Sequence, residues 1–445
     1  MSVPGLTSPK RLRAREAREL RVNFVQGLKC LFCETLYPVR VGNTCPRCGI
    51  TGILDVQYDY AGIGRVLTRR RLAARSDPSH WRYRELLPVG PNAVLPALSV
   101  GGSPLTATPA LARHLGIAKL FLKDDGRNAT GSLKDRASSV GVVRAREKRR
   151  PIIACASTGN AASSCAGMAA SMGLRSVIFV PERAPEPKVT QLLIFGATVL
   201  RVRGSYEDAF QLCQHSCERW GWYNRNSAVN PYLVEGKKTA GLEIGEQLGW
   251  ELTDWVAVSV GDGCTVAGVW KGFRELKMLG LITRTPRILG VQAEGAAPVT
   301  AAFLSGEPMR PIEPATLADS IAVGVPRNWK RAVLAVRESG GTMINVTDDE
   351  ILEAMRYTGR LSGIFAEPAA ATAVAGLQRA VAQGLVGRRA SAVALITGNG
   401  LKDVQSARAA AGQPYEIAPD GAELEEILGG AGFSLPIRAK LGRSR

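Results

Sequence analysis

Histidine is nearly missing from this chain: three among 445 residues, His80, His114 and His215. None lies in the glycine-rich loops described below, so acid–base chemistry by imidazole is disfavoured and lysine is the proton carrier that remains. Acidic residues are also few, 39 against 57 lysines and arginines, for a formal charge of +18. Much of that excess lies at the ends, in "SPKRLRAREARELR" (residues 8–21) and "RAKLGRSR" (438–445). Basic tails can bind nucleic acid, but no recognisable nucleic-acid module accompanies these. We expect no nucleic-acid partner, and a site that handles small anions.

Long apolar runs are absent as well. The least charged stretch, residues 152–174, is only weakly apolar and carries "STGN" in its middle, so it does not make a membrane span. No apolar segment follows the basic residues near the N-terminus, so no signal peptide is expected and a cytoplasmic location is. There is no internal repeat, no Gly-Lys-Ser/Thr ending of a nucleoside-triphosphate loop and no GxGxxG fingerprint behind a strand.

The length exceeds a single typical core, so two packed domains plus an appendage are expected. The appendage announces itself by cysteine. "CLFC" (Cys30, Cys33) and "CPRC" (Cys45, Cys48) stand eleven residues apart. Two such knuckles let four thiolates converge tetrahedrally on one soft divalent ion, and the expectation is a structural zinc with no open ligand position. The other cysteines, 155, 165, 213, 217 and 264, are scattered and read as small buried residues.

Short apolar runs read as strands at 119–123, 152–156, 176–180, 198–202, 255–260, 288–293 and 392–397, with helical stretches between them. Such alternation implies an α/β protein with parallel sheets covered on both faces, whose ligands collect where strands end and helices begin. Residues 61–100, with scattered Arg and Pro, read as a linker and arm.

Three strand-to-helix junctions carry unusual residues. In "ACASTGNAASS", Ser157, Thr158, Gly159 and Asn160 precede a helix of tiny residues, and exposed amides with two hydroxyls suit an anion. In "SVGDGCTVAG", Gly261 and Gly263 let the backbone curl and Thr265 offers a hydroxyl to a phosphate, whereas Asp262 must point away or cap a turn. In "LITGNGLKD", Thr397 ends a strand before a sharp reversal. A fourth stretch, "TGSLKDRASS" (130–139), places Lys134 between a small hydroxyl-bearing turn and a run of small residues. A sheltered lysine near other cations has the lowered pKa that a nucleophile toward a carbonyl requires.

"KDDGRNATGSLKDRASS" resembles the cofactor-lysine motif of fold-type II pyridoxal-phosphate enzymes, the tryptophan synthase β-like fold, and of threonine synthases in particular. The similarity continues through "ASTGNAAS", "NSAVNPYLVEGKKTAGLEI", "VGDGCTVAGVWKGF", "SGIFAEPAAATA" and "TGNGLKD", in that order, and the cysteine-rich start closing in "GILDVQYDY" is similar to the N-terminal segment of some synthases. The resemblance implies that Lys134 is the catalytic lysine, which binds the cofactor's aldehyde and later moves the Cα and Cβ protons. It puts Asn160 beside the cofactor's phenolic oxygen, and Gly261, Asp262, Gly263, Cys264 and Thr265 around its phosphate. Thr397 falls at the pyridine nitrogen. Ser157, Thr158, Gly159, Asn160 and Ala161 would hold the substrate carboxylate. The implied activity converts O-phosphohomoserine and water to threonine and phosphate; a paralogue performing β-elimination or β-replacement on a serine-, threonine- or phosphoserine-like amino acid is the alternative. A homodimer is the family's common state.

One departure matters. Family members often carry an arginine in the stretch matching "NPYLVEG", where this chain has Leu233, and an arginine fork is a strong phosphate ligand. Lys237, Lys238 or Arg136 are the candidates to compensate, and Lys238 is expected at the substrate. The expected division is a basic arm (1–26), a zinc ribbon (27–60), a large cofactor-binding domain (61–140 and 218–445) and a small mobile domain (141–217).

Overall fold

Side-chain alternation along the strands decides which of two cores each residue enters. In the computed structural model the strand Trp255–Ser259 is buried throughout. Val256 and Val258 join Ile288, Val393 and Leu395 on one face. Trp255 and Ala257 join Leu289, Ala392 and Ala394 on the other. Burial on both faces is what a helix-covered parallel sheet demands. The structure describes residues 24–430 apart from 183, 185, 421 and 422. The expected basic tails, residues 8–21 and 438–445, lie outside the described residues, as does most of the arm 1–26.

In chain order the strands are β1 (Val25–Cys30), β2 (Leu36–Tyr37), β3 (Leu54–Tyr58), β4 (Leu105–Ala107), β5 (Lys119–Asp124), β6 (Ile152–Ala156), β7 (Arg175–Pro181), β8 (Thr198–Val202), β9 (Tyr223–Asn224), β10 (Trp255–Ser259), β11 (Arg287–Ala293), β12 (Thr342–Val346) and β13 (Ser391–Ile396). The larger sheet runs β12-β11-β10-β13-β5-β4, parallel except for the antiparallel edge strand β4. The smaller sheet, β8-β7-β6-β9, is wholly parallel. It runs past residue 217 to take in Tyr223–Asn224, so the smaller unit ends later than its expected boundary.

Residues 61–100 are not a loose linker. They form short helices at Tyr60–Val66, Arg69–Ala73 and His80–Leu86, with His80, Trp81, Tyr83 and Leu86 buried. The arginines that make the stretch look solvated are consumed locally: Arg82 donates to Glu246 at 2.7 Å and to the carbonyl of Leu72 at 2.8 Å.

The N-terminal strands make a separate antiparallel sheet, β2-β1-β3, which is anchored by charge. Tyr58 of β3 donates to Glu235 at 2.8 Å, while Lys271 bridges Asp55 (3.1 Å) and Glu235 (2.8 Å). Beneath it, the helices Lys134–Glu147 and Tyr232–Gln247 cross so closely at Gly236 that a Cβ there would lie 1.9 Å from the Arg136 carbonyl oxygen. Only glycine permits that approach. No helix among the described residues is long and apolar enough to cross a membrane.

Candidate active site

The C-terminal ends of β6, β10 and β13 open into one cavity of about 720 Å³. Lys134, Ser157, Thr158, Gly159, Asn160, Ala161, Gly261, Asp262, Gly263, Cys264, Thr265 and Thr397 all line it. Loops remote in sequence thus converge at the edge where an α/β sheet gathers ligands.

Lys134 opens the helix Lys134–Glu147. Its position is held by the chain around it: the Leu133 amide donates to the Thr397 carbonyl at 2.8 Å, and the Asn399 amide to that of Gly131 at 3.0 Å. Asp135 accepts from the Thr130 amide and hydroxyl, both at 2.6 Å, which closes the turn. Desolvation, followed by the neighbouring Lys237 ammonium, pulls the Lys134 amine down to about 8. The neutral amine is the form that attacks a carbonyl, and lowering the pKa makes much more of it available near neutrality than an ordinary lysine offers.

The turn after β10 prepares an anion site. Gly263 has φ +97°, a left-handed conformation natural to glycine, and it caps the helix Cys264–Met278. The free amides of the first turn therefore face the cavity's glycine-rich rim. Asp262 is kept out of the anion's way. Its carboxylate accepts from the Arg327 amide (2.8 Å), the Asn328 side chain (2.9 Å) and the Cys264 thiol (3.0 Å). That thiol is itself pushed up to about 12 by burial, so it stays neutral.

Two expected phosphate ligands are elsewhere. Lys238 does not reach the cavity: its ammonium lies buried between Glu235 (2.6 Å) and Glu275 (2.9 Å), above the Tyr58 ring. Arg136 is spent on Asp125 and Glu243, with contacts from 2.6 to 2.8 Å. Leu233 is fully buried and packs towards Gly141. Lys237 lines the cavity instead, and so does Arg225, a residue the sequence reading leaves without a role.

Glu367 is a further residue the sequence reading leaves without a role. It is buried at the start of the helix Pro368–Ala382, and both its oxygens accept from the Asn160 amide, at 2.9 and 2.8 Å. Burial raises its pKa. A carboxylate directly before a helix-opening Pro was the available signal.

An unpaired amine, a hydroxyl at a strand end and a glycine-turned helix start in one enclosed space fit pyridoxal phosphate. Residues 97–398 match the family model described as "Pyridoxal-phosphate dependent enzyme". The chain is 42% identical to a threonine synthase of Methanosarcina acetivorans over 85% of its own length and 93% of the relative's. It is 38% identical to one from Methanocaldococcus jannaschii, over 90% and 98%. This chain belongs to the threonine synthase family of pyridoxal-phosphate dependent enzymes. Solved structures share its fold at lower identity. The processed form of threonine deaminase isoform 2 from Solanum lycopersicum matches with TM-score 0.60 and 22% identity, over 69% of this chain and 87% of that one. Maize serine racemase matches with TM-score 0.58 and 20% identity, over 74% and 94%.

Proposed function

We propose that the chain converts O-phosphohomoserine and water to threonine and inorganic phosphate, with pyridoxal phosphate bound at Lys134. The observation that carries this reading is the convergence of Lys134, the Gly261–Thr265 turn and the Ser157–Ala161 loop on one cavity. Bound there, the cofactor supplies an electron sink that lets protons leave Cα and Cβ. Lys134 would hold it covalently and carry those protons. The Gly261–Thr265 amides and the Thr265 hydroxyl would receive the cofactor's phosphate, and the Thr397 hydroxyl would meet the pyridine nitrogen. Asn160, anchored by Glu367, would lie beside the phenolic oxygen. The amides opening the helix Asn160–Ser171 take the substrate carboxylate. Phosphate would leave Cγ, which gains a proton to become the methyl group, and water would add its hydroxyl at Cβ as Cα is reprotonated.

The smaller sheet carries the Ser157–Ala161 loop, which supports closure of that domain over the substrate to exclude water. Contacts across the cleft already join the two sides: Asn160 to Ser320 at 3.2 Å, Arg327 to Glu207 at 2.7 Å and Lys402 to Ser163 at 3.1 Å. Dimerisation rests on the family resemblance, and a cytoplasmic location on the sequence reading. The deciding assay supplies O-phosphohomoserine and counts products. Threonine and phosphate in equal amounts support the reading; keto acid and ammonia from serine or threonine, with phosphohomoserine untouched, overturn it.

The pKa of Lys134 gives a pH prediction. The attacking species is the deprotonated amine, so covalent loading of apoprotein should speed up as pH rises through about 8, then level off. A rate still climbing towards an ordinary lysine value would contradict the sheltered placement. Stopped-flow absorbance at matched cofactor concentration reads it.

We further infer that Cys30, Cys33, Cys45 and Cys48 hold a structural zinc. Their sulfurs lie within 4.8 Å of one another, with Cys33–Cys45 at 3.6 Å and Cys30–Cys48 at 4.0 Å, spacings that suit tetrahedral thiolate ligation. Cys30→Ser should release one zinc per chain and loosen the N-terminal sheet while leaving cofactor attached. Metal analysis finding no zinc in the parent protein would end this assignment.

A further inference from the structure

Buried cations in this protein follow a rule with two exceptions. Lys123, Arg136, Arg144, Lys238, Lys271 and Arg331 each have a carboxylate oxygen within 3.5 Å. Arg225, 1% exposed, and Lys237, 2% exposed, have none among the described residues. The Arg225 guanidinium donates only to neutral acceptors: the hydroxyls of Ser138 (2.9 Å) and Ser227 (3.3 Å) and the carbonyl of Lys134 (3.4 Å). The Lys237 ammonium makes no hydrogen bond or ion pair with any described residue, only its backbone being bonded, within the Tyr232–Gln247 helix. Both line the cavity beside Lys134 and the Gly261–Thr265 turn.

We propose that Arg225 and Lys237 are a cationic pair that binds a phosphate monoester dianion in the cavity, supplying the charge that Leu233 cannot. A buried cation without a counter-charge destabilises the fold, so two of them side by side point to a ligand that completes them. The nearest acid, Asp262, is already committed to the Arg327–Asn328 turn. Burial lowers the pKa of the Lys237 ammonium and Arg225 lowers it further, so the two cations oppose each other's charge. A dianion suits the pair better than a carboxylate, because two positive groups and the hydroxyl of Ser227 converge there. Position on the chain explains why neither cation substitutes visibly for an arginine at 233. Arg225 arrives from the end of β9, and Lys237 enters one helical turn after Leu233, its Cβ against Gly268 of the Cys264–Met278 helix.

Two phosphate monoesters enter this cavity on the reading given above, on which the proposal rests: the cofactor's and the substrate's. Wild type, Arg225→Gln and Lys237→Gln are compared by three measurements. These are the dissociation constant of pyridoxal phosphate, kcat and KM for O-phosphohomoserine, and inhibition of the holoenzyme by inorganic phosphate. If the pair holds the substrate's phosphate, KM should rise about 10- to 100-fold, as loss of a charged contact implies. Phosphate inhibition should weaken in parallel, and the cofactor dissociation constant should change by less than KM does. If it holds the cofactor's phosphate, that dissociation constant rises by the same factor and phosphate inhibition is unchanged. In either case Arg225→Lys and Lys237→Arg should restore much of the loss. All three measurements within twofold of wild type would overturn the proposal. Should the neutral variants not fold, wild-type apoprotein is melted in phosphate and in chloride at equal ionic strength. Phosphate alone should raise the melting temperature, and equal effects would overturn the pairing. A wild type that binds phosphate yet leaves phosphohomoserine intact would sink the proposed activity and not this site.

Discussion

Lys134→Ala protein is expected to be colourless when isolated under conditions that leave wild type loaded with cofactor, and to lose turnover by roughly 10⁴-fold or more. The size of the loss follows from the absence of a substitute. His80 is buried, donates or accepts only within the Ser139–Thr239 pocket, and is held down to about 3 by burial and then by Arg136. Neither His114 nor His215 lines the cavity. Lys237 is nearby, but it grows from a different helix and cannot occupy the place of the Lys134 amine without moving the Tyr232–Gln247 backbone, which is locked by Gly236. Folding should survive, because the substitution removes a depressed amine and leaves the Asp135 cap and the Leu133–Thr397 bond in place. Absorbance and product assays on the same preparation check both halves; a visible cofactor band that persists in the variant would contradict the assignment.

Gly263→Ala should produce the second large effect, this time on cofactor retention. Its φ of +97° costs an L-residue on the order of 1–3 kcal/mol. The added Cβ would also meet the Asn328 carbonyl oxygen at 2.7 Å and the Ala332 Cβ at 3.0 Å. Both partners are backbone or rigid, so the turn itself must shift. The amides at the head of the Cys264–Met278 helix then lose their aim. The helix persists, since Val266, Val269 and Phe273 remain in the core. We expect cofactor affinity to fall about 100-fold with near-native circular dichroism, given that charged hydrogen bonds contribute about 1.5–3 kcal/mol each. A dissociation constant within twofold of wild type would show that the turn does not hold the phosphate.

The strands that carry the site could be read from the sequence because each is a short apolar run bounded by Gly, Ser or Pro. All seven lie within a residue of their expected bounds. Strands β4, β9 and β12 could not: β4 and β12 lie at the sheet edges, and the two-residue β9 is too short for a pattern. The cavity-lining loops were readable for a chemical reason, since few residue types put hydroxyls and free amides at a helix start. The sequence reading chose Lys238 for the substrate, whereas Lys237 is the one that lines the cavity. Adjacent helical residues point about 100° apart, and which one meets acid depends on Glu275 from another helix. Arg136 misled for the same reason, its partners Asp125 and Glu243 being far off in sequence or on other elements. Residues 61–100 looked solvated because arginines such as Arg82 are paired with carbonyls and carboxylates that no sequence pattern announces.

The central claim concerns one amine, and borohydride reduction followed by peptide mapping addresses it directly. Reduced holoenzyme should carry a phosphopyridoxyl group on the peptide containing Lys134, in about one copy per chain. The same label on Lys237, or spread over surface lysines, would contradict the account.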